Sequence, residues 1–516
     1  MTMDWVEFGQ RLVMAVYTAA LAIVCVYGFH RYVLVFLYYR HRRKIPRPAG
    51  TFRDLPRVTI QLPMYNEKYV AKRIIDRTCQ INWPREKLQI QVLDDSVDET
   101  AQIASAAVER ARRRGFDIEY IHRDDRTGYK AGALQNGLAT ATGEFITIFD
   151  ADFLPDPDVL VNSIDYFTDP AVCAVQARWE HINRNDSLLT RTQAFFLDGH
   201  FAIEHVARNR SGRFMQFNGT GGTWRKAAIL DAGSWQHDTL TEDMDLSYRA
   251  QLRGWKFIFL PDLTAPAELP PEMNSFKAQQ FRWTKGGVQT AMKMLPRICL
   301  SKIPLKAKVE AFFHLTCFSV HGCVLLLVTL LFPVMFIRLA PVVQNEGWRT
   351  VLDLTVFTLA TMSASVFYLA SQYELFKDWR TILKYLPFLM ALGVGVSLSN
   401  AKALLEALIG RRSEFVRTPK YGAGMSEYQA HRKKGHGERK RRILPYVEFV
   451  FGVYMAFCGA YSLLDVRMTM AAPFLIIFAV GFFYVSILSF QRHPAAVLAP
   501  AAEAAGDAES SPADGR

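Results

Sequence analysis

The chain has 516 residues, half of them hydrophobic, and a formal net charge of +12 at pH 7. This length exceeds one ordinary soluble domain and predicts at least two structural units. The positive charge does not indicate a nucleic-acid-binding protein, because the basic residues cluster beside apolar segments, where cytoplasmic loops of membrane proteins carry them. The seven cysteines show no CxxC or Cys/His spacing, so they do not indicate a metal site.

The first apolar segment predicts a membrane-spanning helix over residues 11–39, because it is longer than the roughly 18 apolar residues that a span requires. Asp4 and Glu7 precede it without a basic region, which argues against a signal peptide. The basic run 40–44 follows the helix and predicts that the next domain is cytoplasmic.

The next part of the chain reads as a soluble α/β domain, in which apolar strands alternate with helices. Such alternation predicts βαβ units and a parallel sheet. Ligands of such sheets bind beside the carboxyl ends of the strands. The predicted strands are 58–62, 90–93, 118–121 and 145–149, and the predicted helices are 67–80, 100–114 and 130–139.

The remainder of the chain is mostly apolar. The mixed basic and apolar segment 285–315 predicts amphipathic helices at the membrane interface. Segment 383–410 is predicted to be interfacial or re-entrant. A full crossing would place segment 411–442, with its eleven Lys or Arg and three Glu, on the outer side of the membrane, whereas positive loops favour the cytoplasmic side. Four spans are predicted after the α/β domain, at about 316–338, 351–373, 444–464 and 470–490.

Two acidic motifs follow predicted strands. Asp94 and Asp95 come after the second strand, and Asp150 and Asp152 come after the fourth. Because the carboxyl ends of parallel strands lie at one edge of a sheet, these carboxylates are predicted to face a ligand there. Each motif alone is equally consistent with an ordinary turn.

Two further motifs carry candidate chemistry. The Thr-Glu-Asp motif at 241–243 precedes a helical stretch, and a capping box is its structural alternative. The Gln-x-x-Arg-Trp motif at 279–283 places an amide, a guanidinium and an indole on one helix, where an interfacial Trp with a snorkelling Arg is the alternative.

The four motifs together fit the transfer of a hexose from a nucleotide-sugar. That reaction needs a divalent cation on carboxylates to neutralise the diphosphate. It also needs a general base for the acceptor hydroxyl. An arginine suits the diphosphate through paired hydrogen bonds.

In order and spacing the motifs resemble those of the inverting family-2 glycosyltransferases. The resemblance is to the processive members, which include cellulose synthase, hyaluronan synthase and especially the cellulose-synthase-like mannan and glucomannan synthases, and it extends from about Val58 to Lys420. It implies an α/β GT-A-type, Rossmann-like catalytic domain embedded between transmembrane helices. It also implies Mg²⁺ or Mn²⁺ as cofactor and a UDP-glucose-type or GDP-mannose-type donor.

The resemblance assigns roles to individual residues. The catalytic pair is expected to be Asp243, the general base, and Glu242, and the metal is expected on Asp152 and Asp150. Donor contacts are expected from Tyr65, Glu67, Asp94, Asp95, Lys130, Asp150, Gln279, Arg282, Thr418 and Lys420, and acceptor contacts from Trp283, Asn218 and Gly219.

Residues 415–420 resemble the Phe-x-Val-Thr-x-Lys gating-loop motif of cellulose synthases. Arg417 stands where that motif has Val. The resemblance implies that Thr418 and Lys420 close over the donor phosphates, whereas a merely basic cytoplasmic loop is the alternative.

The predicted organisation follows from these observations. It comprises a transmembrane helix with its basic flank (1–45), the GT-A catalytic domain (46–284), interfacial helices (285–315), a transmembrane hairpin (316–374), an interfacial helix and gating loop (375–442), a second hairpin (443–491) and a disordered tail (492–516).

The predicted function is extension of a β-linked polysaccharide at the cytoplasmic face of the inner membrane, coupled to translocation of the product. The expected partners are the nucleotide-sugar, a glycan acceptor and membrane lipids, without nucleic acid. The alternative is a glycolipid synthase that adds one hexose to ceramide, diacylglycerol or polyprenyl phosphate. A transporter or scaffold would leave the acidic motifs unexplained.

Overall fold

The computed structural model describes residues 5–339, 347–411, 417–433, 443–464, 466–469 and 471–491. The predicted disordered tail and the first two residues of the predicted gating motif, Phe415 and Val416, lie outside these ranges.

One seven-stranded sheet forms the centre of the α/β domain, in the order β3-β2-β1-β4-β6-β5-β7. The four predicted strands are present and pair in parallel, with β1 between β2 and β4. β6 runs antiparallel to β4 and β5, so the sheet is mixed. The strands are β1 (Val58–Met64), β2 (Leu88–Asp94), β3 (Asp117–His122), β4 (Phe145–Ile148), β5 (Val172–His181), β6 (Gly222–Arg225) and β7 (Lys256–Ala267).

Helices cover both faces of the sheet, which is why β1 and β2 are buried along their whole length. α2 and α3 pack on one face. On the other face a single apolar core joins α4 and β4 to helices α1 and α12. The helices of this part are α1 (Trp5–His41), α2 (Ala71–Thr78), α3 (Thr100–Arg113), α4 (Tyr129–Thr140), α5 (Leu188–Gly199), α6 (Val206–Arg210), α7 (Lys226–Asp231) and α8 (Glu242–Leu252).

The second half of the described chain is helical. α9 carries the Gln-x-x-Arg-Trp motif, and the predicted interfacial segment 285–315 forms the end of α9 and most of α10. The helices are α9 (Met273–Leu300), α10 (Leu305–Thr316), α11 (Val320–Leu339), α12 (Gly347–Phe376), α13 (Arg380–Leu383), α14 (Leu386–Gly395), α15 (Ser397–Leu408), α16 (Tyr428–Lys433), α17 (Leu444–Ser462), α18 (Val466–Thr469) and α19 (Ala472–Phe490).

Four helical segments of the described chain are long and apolar enough to cross a membrane. The predicted span 351–373 forms α12, which packs along α1 but is not one of these four. α14 and α15 are bent by 40° and are apolar enough together to form a broken span or a re-entrant loop. The four segments are Trp5–His41, Leu305–Ile337, Leu444–Ser462 and Ala472–Phe490.

Small residues allow α14 and α19 to cross closely. A Cβ atom at Gly395 would collide with the carbonyl of Gly481, and a Cβ at Gly481 would collide with the carbonyl of Ala391. Close approach through small residues is typical of helix packing in membranes. Both helices line the cavity described below, so this crossing fixes part of its wall.

Candidate active site

One continuous cavity of about 1360 Å³ begins at the carboxyl ends of β1, β2 and β4 and continues between the helices. All of the predicted site residues except Asp94 line it, although they come from distant parts of the sequence. These lining residues are Tyr65, Glu67, Asp95, Lys130, Asp150, Asp152, Asn218, Gly219, Glu242, Asp243, Gln279, Arg282, Trp283, Thr418 and Lys420.

Asp94 is the exception among the predicted donor contacts. Its carboxylate is fully buried and accepts hydrogen bonds from the Tyr120 hydroxyl at 2.7 Å and the Ser96 N–H at 2.9 Å. Asp94 therefore stabilises the end of β2 and does not face the cavity. Adjacent residues of a strand point to opposite faces, so only Asp95 is left to reach a ligand.

Asp95 is held by Arg123, a residue that no motif in the sequence indicated. Arg123 donates to both of its carboxylate oxygens, at 2.8 Å and 2.6 Å, and also to the Tyr129 carbonyl at 3.1 Å. Arg123 thus ties the end of β2 to the start of α4. Beside it the guanidinium carbon of Arg126 lies 3.3 Å from the ring centroid of Tyr65, which makes a flat cationic surface at the predicted base-binding position.

The acidic pair Glu242 and Asp243 begins α8. The side chain of Thr241 does not cap this helix; its hydroxyl hydrogen-bonds that of Thr290 at 3.0 Å, so the capping-box alternative is wrong. Enclosure in the cavity raises the pKa of Asp243 to about 7, and the charge of Glu242 adds to the effect. A carboxylate with a pKa near neutrality suits general-base catalysis.

Lysines neutralise both carboxylates of the Asp-x-Asp motif. Lys130 donates to the carboxylate of Asp150, and it also donates to the Gly219 carbonyl at 2.9 Å. Lys420 donates to the carboxylate of Asp152 at 2.7 Å. Burial lowers the pKa of Lys130, but the carboxylates around it outweigh burial and the net shift is upward. The edge of the cavity therefore brings together two carboxylates and two ammonium groups.

The carboxylates also fit a divalent cation. Among the described residues, no three His, Cys, Asp or Glu side chains are grouped to hold a metal ion. Mg²⁺ is usually bound by one or two carboxylates together with substrate phosphates and water, which matches Asp150 and Asp152. A closed cage of protein ligands, as in a structural zinc site, does not match.

The Gln-x-x-Arg-Trp motif of α9 faces the loop that follows α15. Arg282 donates to the Thr418 hydroxyl at 3.3 Å across the cavity. Burial lowers the pKa of Arg282 to about 10, which still leaves the guanidinium charged at neutral pH. Arg282 and Thr418, which are both predicted to contact the donor, therefore lie side by side.

Arg417, the departure from the gating-loop motif, has a partner in the site. Its guanidinium donates to both carboxylate oxygens of Glu67, at 2.9 Å and 2.6 Å. A planar arginine fork of this kind fits a carboxylate in one orientation. Arg417 therefore fixes the described part of the loop to the predicted base-binding position.

A polar cluster lies on the predicted acceptor side and was not found from the sequence. Asn218 hydrogen-bonds His200 at 3.0 Å and also bonds His205. Both histidines belong to one π-helical turn, His200–His205, a conformation that is frequent at functional sites. The positions of the two histidines in the sequence do not differ from those of core residues in a buried helix, so no signal in the sequence indicated them.

The cavity continues far beyond the sheet. Along α1 its lining extends from Leu34 to Met14, which is about 30 Å at 1.5 Å per helical residue. The hydrocarbon core of a bilayer is about 30 Å thick. Many of the lining side chains are aromatic: Tyr17, Tyr27, Phe313, Phe318, Tyr368, Phe474 and Phe478.

Comparison with known proteins identifies the family. A profile of the glycosyltransferase like family 2 matches residues 56–286. The chain is 36% identical over 430 residues to glucomannan 4-beta-mannosyltransferase 2 of Arabidopsis thaliana, covering 79% of this chain and 76% of that relative. It is 34% identical over 418 residues to glucomannan 4-beta-mannosyltransferase 1 of Cyamopsis tetragonoloba, covering 79% and 77%. The chain belongs to the family-2 glycosyltransferases.

This family-2 glycosyltransferase is of the glucomannan-synthase type and is a hexosyltransferase. A solved mannosyltransferase from Pyrobaculum calidifontis, in complex with GDP-Man and Mn²⁺, matches it with a TM-score of 0.50 at 21% identity. The match covers 76% of this chain and 100% of that one. The likeness confirms the predicted GT-A fold.

Gly219 gives a first prediction for the site. Its backbone φ is +79°, and a Cβ there would lie 3.1 Å from Asp243 Oδ2. Gly219→Ala is expected to lower the transfer rate about tenfold, which corresponds to roughly 1.4 kcal/mol in the barrier. Rates should be compared with Gly233→Ala, a surface glycine with φ +87° that carries similar strain away from the cavity. Equal rates in the two variants would contradict a catalytic effect.

Proposed function

We propose that this enzyme transfers mannose from GDP-mannose to the end of a growing β-linked mannan or glucomannan and passes the product through its helices. The observation that supports this most is the continuous cavity that joins Asp243 to Met14 in the N-terminal half of α1. The named relatives, which are glucomannan 4-beta-mannosyltransferases, support the choice of donor and product.

The proposed reaction is an inverting displacement. Asp243 accepts the proton of the acceptor hydroxyl, and the oxygen attacks the anomeric carbon opposite the diphosphate. Arg282 stabilises the charge that develops on the leaving diphosphate, with help from Lys130 and Lys420. Trp283 and Asn218 hold the acceptor end. A divalent cation held by Asp150 and Asp152 would neutralise part of the diphosphate charge.

The donor is proposed to lie along the carboxyl edge of the sheet. Tyr65 and Glu67 hold the base, and Asp95 lies beside the nucleotide at the end of β2. Thr418, next to Arg282, and Lys420, next to Asp152, approach the diphosphate from the loop. This arrangement encloses the donor and excludes water, which would otherwise hydrolyse it.

The catalytic domain is proposed to lie in the cytoplasm beneath the inner membrane. The basic run 40–44 at the end of α1 supports this orientation, because positive residues favour the cytoplasmic side. The broken pair α14 and α15 is proposed as a re-entrant element on that same side.

The donor and product can be tested with purified protein in detergent or liposomes. Radiolabelled GDP-mannose, UDP-glucose and UDP-N-acetylglucosamine are supplied in separate reactions with Mg²⁺ or Mn²⁺. The expected result is an ethanol-insoluble product from GDP-mannose that endo-β-mannanase degrades. A product that extracts into organic solvent as a monoglycoside would refute the polymer and support the glycolipid alternative.

The proposed path through the helices gives a second prediction. Leu327 lines the cavity, whereas its neighbour Leu326 is exposed on the outer surface of the same helix. Leu327→Trp is expected to shorten the polymer, while transfer of one mannose to a soluble manno-oligosaccharide stays near wild type. Product length is measured by gel filtration, with Leu326→Trp as the matched control. Polymers of unchanged length in Leu327→Trp would reject this path.

A further inference from the structure

Glu268, which the predicted site did not include, binds three consecutive backbone amides. Its carboxylate accepts from the N–H groups of Tyr421, Gly422 and Ala423 at 2.8, 2.9 and 2.8 Å. Consecutive N–H groups that converge on one anion form a nest. Here the anion is a side chain only 3% exposed, at the end of β7, and Gly422 supplies the positive φ of +81°.

The nest is connected directly to the Asp-x-Asp motif. Lys420 donates to the Glu268 carbonyl at 2.8 Å and to Asp152 at 2.7 Å, and the Glu268 N–H donates to the same Asp152 oxygen at 3.2 Å. Arg73 donates to the Ala423 carbonyl at 2.6 Å and to the Asp152 carbonyl at 3.1 Å. The two cations offset the charge of the buried Glu268.

The position of this nest decides where the donor-contacting part of the loop lies. Thr418 and Lys420 stand immediately before it, and Thr418 accepts from Arg282 of α9. Glu268 follows β7 directly, in the short connection that leads into α9, the helix that carries Arg282. Charge-assisted hydrogen bonds of this kind are stronger than neutral ones, and three of them restrict the backbone in position and orientation.

We propose that Glu268 is a positioning residue for donor binding, whose carboxylate fixes residues 421–423 so that Thr418 and Lys420 face the donor diphosphate. This inference rests on the proposed function of the site. A carboxylate that merely stabilises the core would support folding but would leave the donor affinity of the folded enzyme unchanged.

The first experiment compares Glu268→Gln with wild type for whichever nucleotide-sugar the wild type uses. Gln keeps the size of the side chain but loses the charge, so the KM for the donor is expected to rise about 10- to 100-fold. The kcat is expected to stay within about threefold. Glu144→Gln, at an exposed surface ion pair, is the control. A donor KM within twofold of wild type would overturn the proposal.

A double-mutant cycle separates positioning from general destabilisation. If Glu268 acts through the loop, its replacement should raise the donor KM by a smaller factor in a Thr418→Val enzyme than in wild type, because one of the two contacts that it positions is already gone. If the factors by which the two single substitutions raise the donor KM multiply fully in the double mutant, the two residues act independently. That result would refute the proposed role.

Hydrogen–deuterium exchange provides a readout that needs no donor. The amides of 421–423 are expected to exchange at least about tenfold faster in Glu268→Gln, since their buried acceptor loses its charge. Unchanged exchange would refute the proposal. If Glu268→Gln does not fold, Gly422→Ala disturbs the same nest from the loop side, because the backbone φ of +81° is strained for a residue with a Cβ. The same rise in KM and in exchange is then expected. A wild-type enzyme that rejects GDP-mannose would refute only the donor assignment.

Discussion

Asp243→Asn is expected to lower kcat for the proposed mannose transfer by about 10²- to 10⁴-fold, because the acceptor hydroxyl loses its proposed general base. Asn is nearly the same size as Asp, so the fold and the donor KM should change little. Initial rates of transfer from radiolabelled GDP-mannose to a manno-oligosaccharide measure the effect. Asp231→Asn, a surface carboxylate that pairs with Arg253, is the control. A variant with more than a tenth of the wild-type kcat would contradict the assignment.

The pH dependence tests the same residue in the intact enzyme. The pKa of Asp243 is raised to about 7 by its enclosure and by Glu242. Its carboxylate is therefore protonated and inactive below about pH 7, and the rate should rise with pH through that value. Glu242→Gln removes the neighbouring charge, so it should lower the pKa of Asp243 and move the rising limb to lower pH. If the rising part of the pH–rate profile is at the same pH in Glu242→Gln as in wild type, a group other than Asp243 controls the rate.

The first half of the sheet could be predicted because each of its strands is a short apolar run that ends in a polar turn. Parallel pairing then brings the ends of β1, β2 and β4 together, which is why residues as distant as Tyr65 and Asp152 line one cavity. The same logic could not separate Asp94 from Asp95. Both follow the predicted strand 90–93, and the choice depends on which face the side chain of the last strand residue points to.

The partners of the predicted residues could not be found from the sequence. Arg417 was visible as a departure from a motif, but its partner Glu67 lies 350 positions away. Glu268 had no motif at all, and the amides that it binds lie more than 150 positions further along the chain. Periodicity and turn chemistry describe neighbours in sequence, so contacts of this length depend on how the loop returns to the sheet.

Arg282→Ala is expected to lower kcat by about 10²- to 10³-fold, because the leaving diphosphate loses a charged donor in an enclosed site. Arg282→Lys keeps the charge but not the planar fork that can bind two oxygens, so it should recover only part of the loss. Arg297→Ala, at an exposed position on the same helix, controls for effects on α9 itself. Rates at saturating donor distinguish this effect from weaker binding.

A comparison of Arg282→Ala with Thr418→Val separates stabilisation of the leaving group from simple support of the loop. Arg282 donates to Thr418, so loss of loop support alone would be reproduced by Thr418→Val. If the guanidinium acts on the diphosphate, Arg282→Ala should be far slower than Thr418→Val at saturating GDP-mannose. It should also be relatively less impaired with a donor whose leaving group is less basic, because such a group needs less stabilisation in the transition state. Equal defects in Arg282→Ala and Thr418→Val would leave Arg282 with a structural role only.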